Sequence, residues 1–280
     1  MNHKQIPVNS SGGFVRLVDH MGDDSSPAQA ARVSYGAGTK TITEDKDLTR
    51  FLMRHEHFSP FAMAQVKIHM KFPIFIHNQM VRHDRFHWNL MSGRYSVMPE
   101  EKWNPEQEEL RAQGKGNKQV GSGELSFDHA KRAREILITA NDDAQNSYEI
   151  LLEHGVCREQ ARTILPLGQY SEGYATANLG DWLLFLKQRL APGAQKEIQE
   201  YAIAISQILQ RLFPTVMQAW KDYQLNAVTF SAQEMIWLRE ALASNVKLLD
   251  ANPDMRKESI RSVGITNVRE AQEFWKKLKG

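Results

Sequence analysis

A chain of 280 residues with 41% hydrophobic and 24% charged residues can bury a substantial core, which excludes wholesale disorder. Lysine and arginine number 35 against 33 acidic residues, a formal net charge of +2, so nothing attracts it globally to nucleic acid or an anionic membrane. The single cysteine, Cys157, excludes a disulfide scaffold; no apolar run reaches membrane-span length and the N-terminus has no signal-peptide core, which predicts a soluble cytoplasmic protein.

Residues 1–13 are polar, end in Ser-Ser-Gly-Gly and read as a flexible leader. Phe14 to Met21 has strand character. Ser25 or Ser26 then caps an Ala-rich helix with Pro27 in its first turn, running to about Val33. Helical spacing of Leu48, Phe51, Leu52 and His55 predicts a helix from Asp45 to His55. Ala64 to Phe72 alternates apolar Val66, Ile68, Met70 and Phe72 with polar neighbours, as a half-buried strand does. A short helix follows from Ile74 to about Arg82, and His83 to Ser96 has no regular pattern. Residues 99–124 are polar and Gly-rich and predict a mobile surface loop. Helices are expected over 128–153, 157–165, 179–190, 195–213, 231–250 and 267–279. The expected class is α+β, a mixed or antiparallel sheet with many helices, in one domain over 14–224 and a helical extension over 225–280.

The chemistry concentrates between Gln79 and Ser96. Arg82, Arg85 and Arg94 lie within thirteen residues together with His83 and His87, and Asn89, Ser92 and Gly93 sit among them. Guanidinium groups bind phosphate through two parallel hydrogen bonds, and a Ser hydroxyl with backbone N–H groups near glycine adds donors. The segment therefore suits a phosphorylated small molecule. The plain alternative is a solvated basic loop, against which Phe86, Trp88 and Tyr95 argue. A second arginine set, Arg158 and Arg162 on one helix face with Arg189 downstream, would complete an anion site if it converged with Arg94. Six histidines between His55 and His87 raise a metal site as a weaker possibility, with His83 and His87 spaced i, i+4; no HExxH or cysteine pair supports it, and no metal is expected. Cys157 near His154 is a weak candidate nucleophile. No GxGxxG, Walker or GxSxG pattern is present.

Several blocks in order, RLVDHMGDDSSPAQAARVSYGAGTK, FLMRHEHFSPFAM, KIHMKFPIFIHNQMVRH…NLMSGRYS and GVCREQARTILPLGQY, resemble the flavin-dependent thymidylate synthases from about Val15 to Tyr223. The family string RHRxxSxNxxSxR stands here as RHDRFHWNLMSGR, from Arg82 to Arg94. The resemblance implies a homotetramer with sites built from several subunits. It implies FAD, NADPH and methylenetetrahydrofolate as cofactors, and dUMP as the nucleotide. Folate supplies the carbon and reduced flavin the hydride, no protein nucleophile is needed, and Arg189 matches the arginine that stabilises charge on the uracil ring. By the same resemblance Gln79, Arg82, Leu90, Ser92, Gly93, Arg94, Arg162 and Arg189 are the nucleotide positions. The flavin positions are Ser34, His57, Ser59, Arg82, His83, Asp84, Arg85, Asn178, Gly180 and Leu184.

The chain departs from the family at several of these. Asp84 stands where the signature has its second arginine, with Arg85 beside it, and His87 replaces the inner serine. Leu90 and Ala62 replace glutamates, Gly180 an arginine, Leu184 an asparagine and Gly193 a histidine. The changes fall mainly on flavin contacts. They leave open a paralogue that hydroxymethylates or otherwise modifies a pyrimidine nucleotide, or a catalytically silent nucleotide-binding subunit.

Overall fold

The computed structural model describes residues 4–9, 11–33, 42–115, 121–243, 270, 273 and 274. Five strands form one antiparallel sheet in the order β1-β2-β3-β7-β4. They are β1 (Ile6–Val8), β2 (Gly13–Met21), β3 (Gln65–Pro73), β4 (His87–Leu90) and β7 (Tyr170–Asn178). The class is α+β, as the residue patterns predict. The chain forms two compact units, residues 1–225 and 226–280.

β3 is the alternating strand foreseen. Val66, Ile68, Met70 and Phe72 are buried, while Gln65, Lys67, His69 and Lys71 occupy the other face. Its full-length partner β7 has a single β-branched residue, Thr176, and so is weakly marked in the sequence. β7 holds Gly173, Ala175 and Ala177, and nine consecutive pairs from Gln65↔Asn178 to Pro73↔Tyr170 define it. Small residues admit β4 closely: a Cβ on Gly173 would stand 2.5 Å from Leu90 Cδ2 and 2.6 Å from the Asn89 carbonyl oxygen. A side chain there would push β4 off the sheet.

The helices are α1 (Ser26–Arg32), α2 (Ile42–Arg54), α3 (Ile74–Met80), α4 (Phe127–Glu153), α5 (Arg158–Ala161), α6 (Leu179–Arg189), α7 (Lys196–Leu212) and α8 (Pro214–Trp220). Trp182 of α6, Tyr201 and Ile205 of α7 and Trp220 of α8 share one core cluster with the buried face of β3. Two polar atoms tie it down: Trp182 Nε1 donates to the Val66 carbonyl at 3.1 Å and the Tyr201 hydroxyl to the Lys71 carbonyl at 2.8 Å. Beyond residue 225, α9 (Ala232–Ala243) begins with a reciprocal cap in which Ser231 Oγ accepts from the Glu234 N–H and Glu234 Oε2 from the Ser231 N–H.

Four sequence expectations are corrected. The polar leader includes β1, which pairs Ile6↔Val15 through Val8↔Gly13. The segment 99–124 is not one long loop: β5 (Arg111–Gln113) and β6 (Gly121–Glu124) form a two-stranded ribbon, anchored by Arg111 Nη2 on buried Glu197 at 2.6 Å. The helix expected over 157–165 ends at Ala161 and continues only as a 3-10 turn, Arg162–Ile164. Pro214 starts α8 instead of merely stopping α7, since a first-turn proline lacks only an N–H that has no helical partner. Most of the helical extension expected over 225–280 and the flavin position Ser34 lie outside the described residues. Among the described residues no helix is long and apolar enough to cross a membrane.

Candidate active site

The sheet delivers the signature segment in two parts. α3 ends at Met80 and a turn carries Arg82, His83 and Arg85; β4 then runs along β7, and a second turn carries Ser92, Gly93 and Arg94. Four extended residues separate the two turns by roughly 13 Å at about 3.3 Å per residue. The nucleotide positions therefore fall into two groups rather than one pocket.

Arg189 centres the first group. At the end of α6 its Nε donates to His83 Nε2 at 3.0 Å and its Nη2 to the Gln79 carbonyl at 3.0 Å. Since Nε2 accepts, the ring proton of His83 resides on Nδ1. Phe185 packs edge-on to the imidazole at 4.9 Å, and Phe86 lies 5.8 Å away. Burial, then the Arg189 charge, push His83 down to about 4, so the ring is neutral at neutral pH. Burial also lowers Arg189 from its ordinary value, yet a guanidinium remains charged. The result is an oriented cation with N–H groups to spare. The Gln79 side chain is paired with Gln195, Nε2 to Oε1 at 2.5 Å, and Arg82 is exposed at the helix end.

Beside this group lies a cleft of about 400 Å³, lined among others by Phe58, Ser59, Ala62, Arg85, Asp181 and Trp220, with Asn178, Gly180, Leu184 and Lys187. It gathers Ser59, Arg85, Asn178, Gly180 and Leu184 of the expected flavin positions. His57 does not line it; its ring turns toward Phe51, 6.0 Å away. Nor does Asp84, which is exposed. Arg85 enters the cleft and bonds Asp181 Oδ1 at 3.2 Å; the Asp181 side chain is 8% exposed and that of Arg85 71%. Asp181 is held by its own helix end, where Asn178 Oδ1 accepts from the Asp181 N–H at 2.9 Å and Asn178 Nδ2 donates to Asp181 Oδ2 at 2.6 Å. Asn178 is thus the cap of α6. Asp181, Lys187 and Trp220 are cleft residues that the motif reading missed. The Asn178-x-x-Asp181 spacing, a capping signature, pointed to the first of them.

The second group surrounds a separate cleft of about 350 Å³ that includes Phe72, His77, Leu90, Gly93, Met98, Glu159, Arg162 and Ser171. Arg162 lies flat against the Gly93 backbone: a Cβ there would be 3.1 Å from Arg162 Cδ and 2.6 Å from Met98 Sδ. A side chain there would displace Met98 and press on Arg162. Ser92 Oγ accepts the Arg94 N–H at 3.3 Å, Arg94 Nε pairs with Glu159 at 3.0 Å, and Arg158 Nη1 donates to the Tyr95 carbonyl at 3.3 Å. Arg94, Arg158 and Arg162 do share one region, but Arg189 belongs to the first group. Met98 was not foreseen as a site residue, and His77 entered only among the histidines of the metal reading.

The remaining candidates resolve elsewhere. Cys157 donates its thiol to Gln160 at 3.3 Å, while His154 Nδ1 lies 2.8 Å from the Ile150 carbonyl. His83 sits in a turn and His87 on β4, so they share no helix face. Among the described residues no group of three or more His, Cys, Asp or Glu is arranged to hold a metal ion.

The structure is thus an antiparallel sheet backed by helices, carrying an oriented, half-buried arginine and two arginine-bearing clefts. Comparison with known proteins makes the assignment specific. Residues 16–215 match the family described as thymidylate synthase complementing protein. The flavin-dependent thymidylate synthase of Thermus thermophilus is 43% identical over 270 residues, 96% of this chain and 94% of that protein. That of Anaplasma marginale is 41% identical over 240 residues, covering 86% and 82%. A UMP/dUMP methylase from Streptomyces cacaoi, solved with 5-bromo-dUMP, superposes with a TM-score of 0.71 at 29% identity, covering 79% of this chain and 99% of that one. The chain belongs to the flavin-dependent thymidylate synthase family.

The first cleft tests the flavin that this family implies. Arg85 and Lys187 supply cations suited to phosphate, Ser59 a hydroxyl, and Phe58, Ala62, Leu183, Leu184 and Trp220 an apolar lining suited to a ring system. This donor set fits a flavin dinucleotide, with Arg85 supplying a positive charge that Asp84 does not.

Proposed function

We propose that this protein transfers a one-carbon unit from methylenetetrahydrofolate to C5 of dUMP and forms dTMP, using FAD and NADPH. The observation that carries the reading is the fixed guanidinium of Arg189, clamped by neutral His83 and the Gln79 carbonyl. Such a preoriented cation stabilises negative charge that develops on a pyrimidine ring without reorganising during reaction. Bound flavin supplies the hydride, and NADPH restores it. Arg162, Arg94 and Ser92 bind the nucleotide phosphate, for which the Arg94–Glu159 pair opens. Arg85, anchored on Asp181, and Lys187 orient the cofactor through its phosphates, while the apolar cleft residues exclude water from its ring. Balance requires dUMP, methylenetetrahydrofolate, NADPH and a proton to yield dTMP, tetrahydrofolate and NADP⁺.

The family resemblance, together with nucleotide positions divided between two groups of one chain, supports a site completed between copies in a homotetramer. The chain works in the cytoplasm in this reading, on a nucleotide and a folate rather than on nucleic acid or a membrane. The purified protein should be yellow, and should release tritium from [5-³H]dUMP with formation of dTMP only when folate and NADPH are both present. A colourless protein that takes up no FAD and makes no dTMP overturns the proposal. The small or apolar residues Ala62, Gly180 and Leu184 in the first cleft favour one second reading, hydroxymethylation of a pyrimidine nucleotide, which needs no hydride. In that case a hydroxymethyl product forms without NADPH.

A further inference from the structure

The second cleft is lined by a histidine that the proposed chemistry leaves unused. His77, in α3, lines it beside Gly93, Arg162 and Ser171. Its ring stacks on Phe72 at 5.3 Å and 11° and meets the Trp88 ring edge-on at 5.1 Å. These contacts fix the imidazole in one orientation. Its Nε2 is nevertheless buried with no hydrogen-bond partner, and so is the neighbouring Trp88 Nε1. Buried polar atoms in folded proteins nearly always have partners, so an unpartnered histidine nitrogen on a residue that lines a cleft, with a second unpartnered nitrogen on the ring it touches, calls for a functional account. Burial lowers the His77 pKa, which keeps the ring neutral.

We propose that His77 is a nucleoside-contacting residue of the second cleft, hydrogen-bonding through Nε2 to a hydroxyl or carbonyl of the nucleotide whose phosphate rests on Arg162. This rests on the reading of that cleft as the nucleotide site. A neutral imidazole nitrogen pairs well with a hydroxyl or carbonyl but adds little for a phosphate, which the guanidinium already serves. The two residues thereby divide the ligand between them.

Calorimetric titration of the intact protein with dUMP, 2-deoxyribose 5-phosphate and inorganic phosphate tests this. His77→Phe, which keeps a flat ring between Phe72 and Trp88, should weaken dUMP about tenfold and leave phosphate unchanged. His77→Gln should recover part of the loss. A loss shared with deoxyribose 5-phosphate assigns the contact to the sugar, and a loss confined to dUMP assigns it to the base. Unchanged dUMP affinity, or an equal loss for all three probes, overturns the proposal. Wild-type protein that binds none of the probes overturns the nucleotide reading itself. If His77→Phe does not fold, ¹⁵N-histidine-labelled wild type decides: the His77 Nε2 resonance must move with dUMP and not with phosphate, and a resonance unmoved by dUMP overturns the assignment.

Discussion

Arg189 Nε donates to His83 Nε2 at 3.0 Å across 106 positions of sequence, joining the end of α6 to the turn after α3. The bond requires a neutral imidazole, because a protonated ring offers no acceptor. Burial and the arginine itself keep it neutral by pushing His83 to about 4, below its usual 6.5.

The sign of the pH effect follows. A histidine whose folded value is depressed stabilises the fold above its unfolded value and loses that contribution as pH falls toward the folded one. Stability should therefore decline between about pH 6.5 and 4, and His83→Asn should flatten that limb. Thermal unfolding measured across the range checks it; identical slopes for both proteins would remove His83 from the account.

Arg189→Ala should abolish turnover and Arg189→Lys should lower kcat by about 10²–10³-fold, because an ammonium cannot reproduce the planar fork that meets both His83 and Gln79. Circular dichroism should show both variants folded. Turnover by Arg189→Lys at the wild-type rate would refute the role of the fork.

Arg85→Ala should reduce FAD affinity by about 10–100-fold, the scale of a lost charged hydrogen bond of about 1.5–3 kcal/mol. Asp84→Ala should do much less, because that carboxylate lies outside the cleft. Flavin absorbance after equilibrium dialysis reads both. A larger loss at Asp84 would mean that position 84 retains the contact.

Gly93→Ala places a methyl group within 2.6 Å of Met98 Sδ and 3.1 Å of Arg162 Cδ. Met98 must swing aside and Arg162 must give by a few tenths of an ångström, so KM for dUMP should rise by about tenfold, with a stability loss of about 1–3 kcal/mol from overpacking. Steady-state kinetics and chemical denaturation separate the two effects.

Trp182→Phe removes the N–H that meets the Val66 carbonyl, which keeps its sheet pairing opposite Ala177. The expected cost is therefore that of one hydrogen bond, about 0.5–1.5 kcal/mol in denaturant unfolding. A loss well above that would mean that the Trp182 bond is the carbonyl's main partner.

Elements with a strong internal pattern were legible in the chain. β3 alternates cleanly, and α4, α6 and α7 follow helical spacing from recognisable starts. β7 was not, because Glu172, Gly173, Ala175 and Ala177 interrupt the strand-favouring Tyr170, Tyr174 and Thr176, and its partners on either side complete the strand. The β5–β6 ribbon escaped notice for a similar reason: Arg111 finds Glu197 across 86 residues, a contact no local pattern announces.

By itself the sequence determined the α+β class, the concentration of arginine between Arg82 and Arg94 in a nearly neutral chain, and the family resemblance carried by its ordered blocks. The tertiary structure decided which charges act together. It turned Arg85 rather than Asp84 into the first cleft by giving it Asp181, 96 residues away, and it set Arg189 with His83 instead of with Arg94 and Arg162. The physical reason is direction: adjacent residues in a turn point different ways, and only the groups packed against them fix which one a ligand meets.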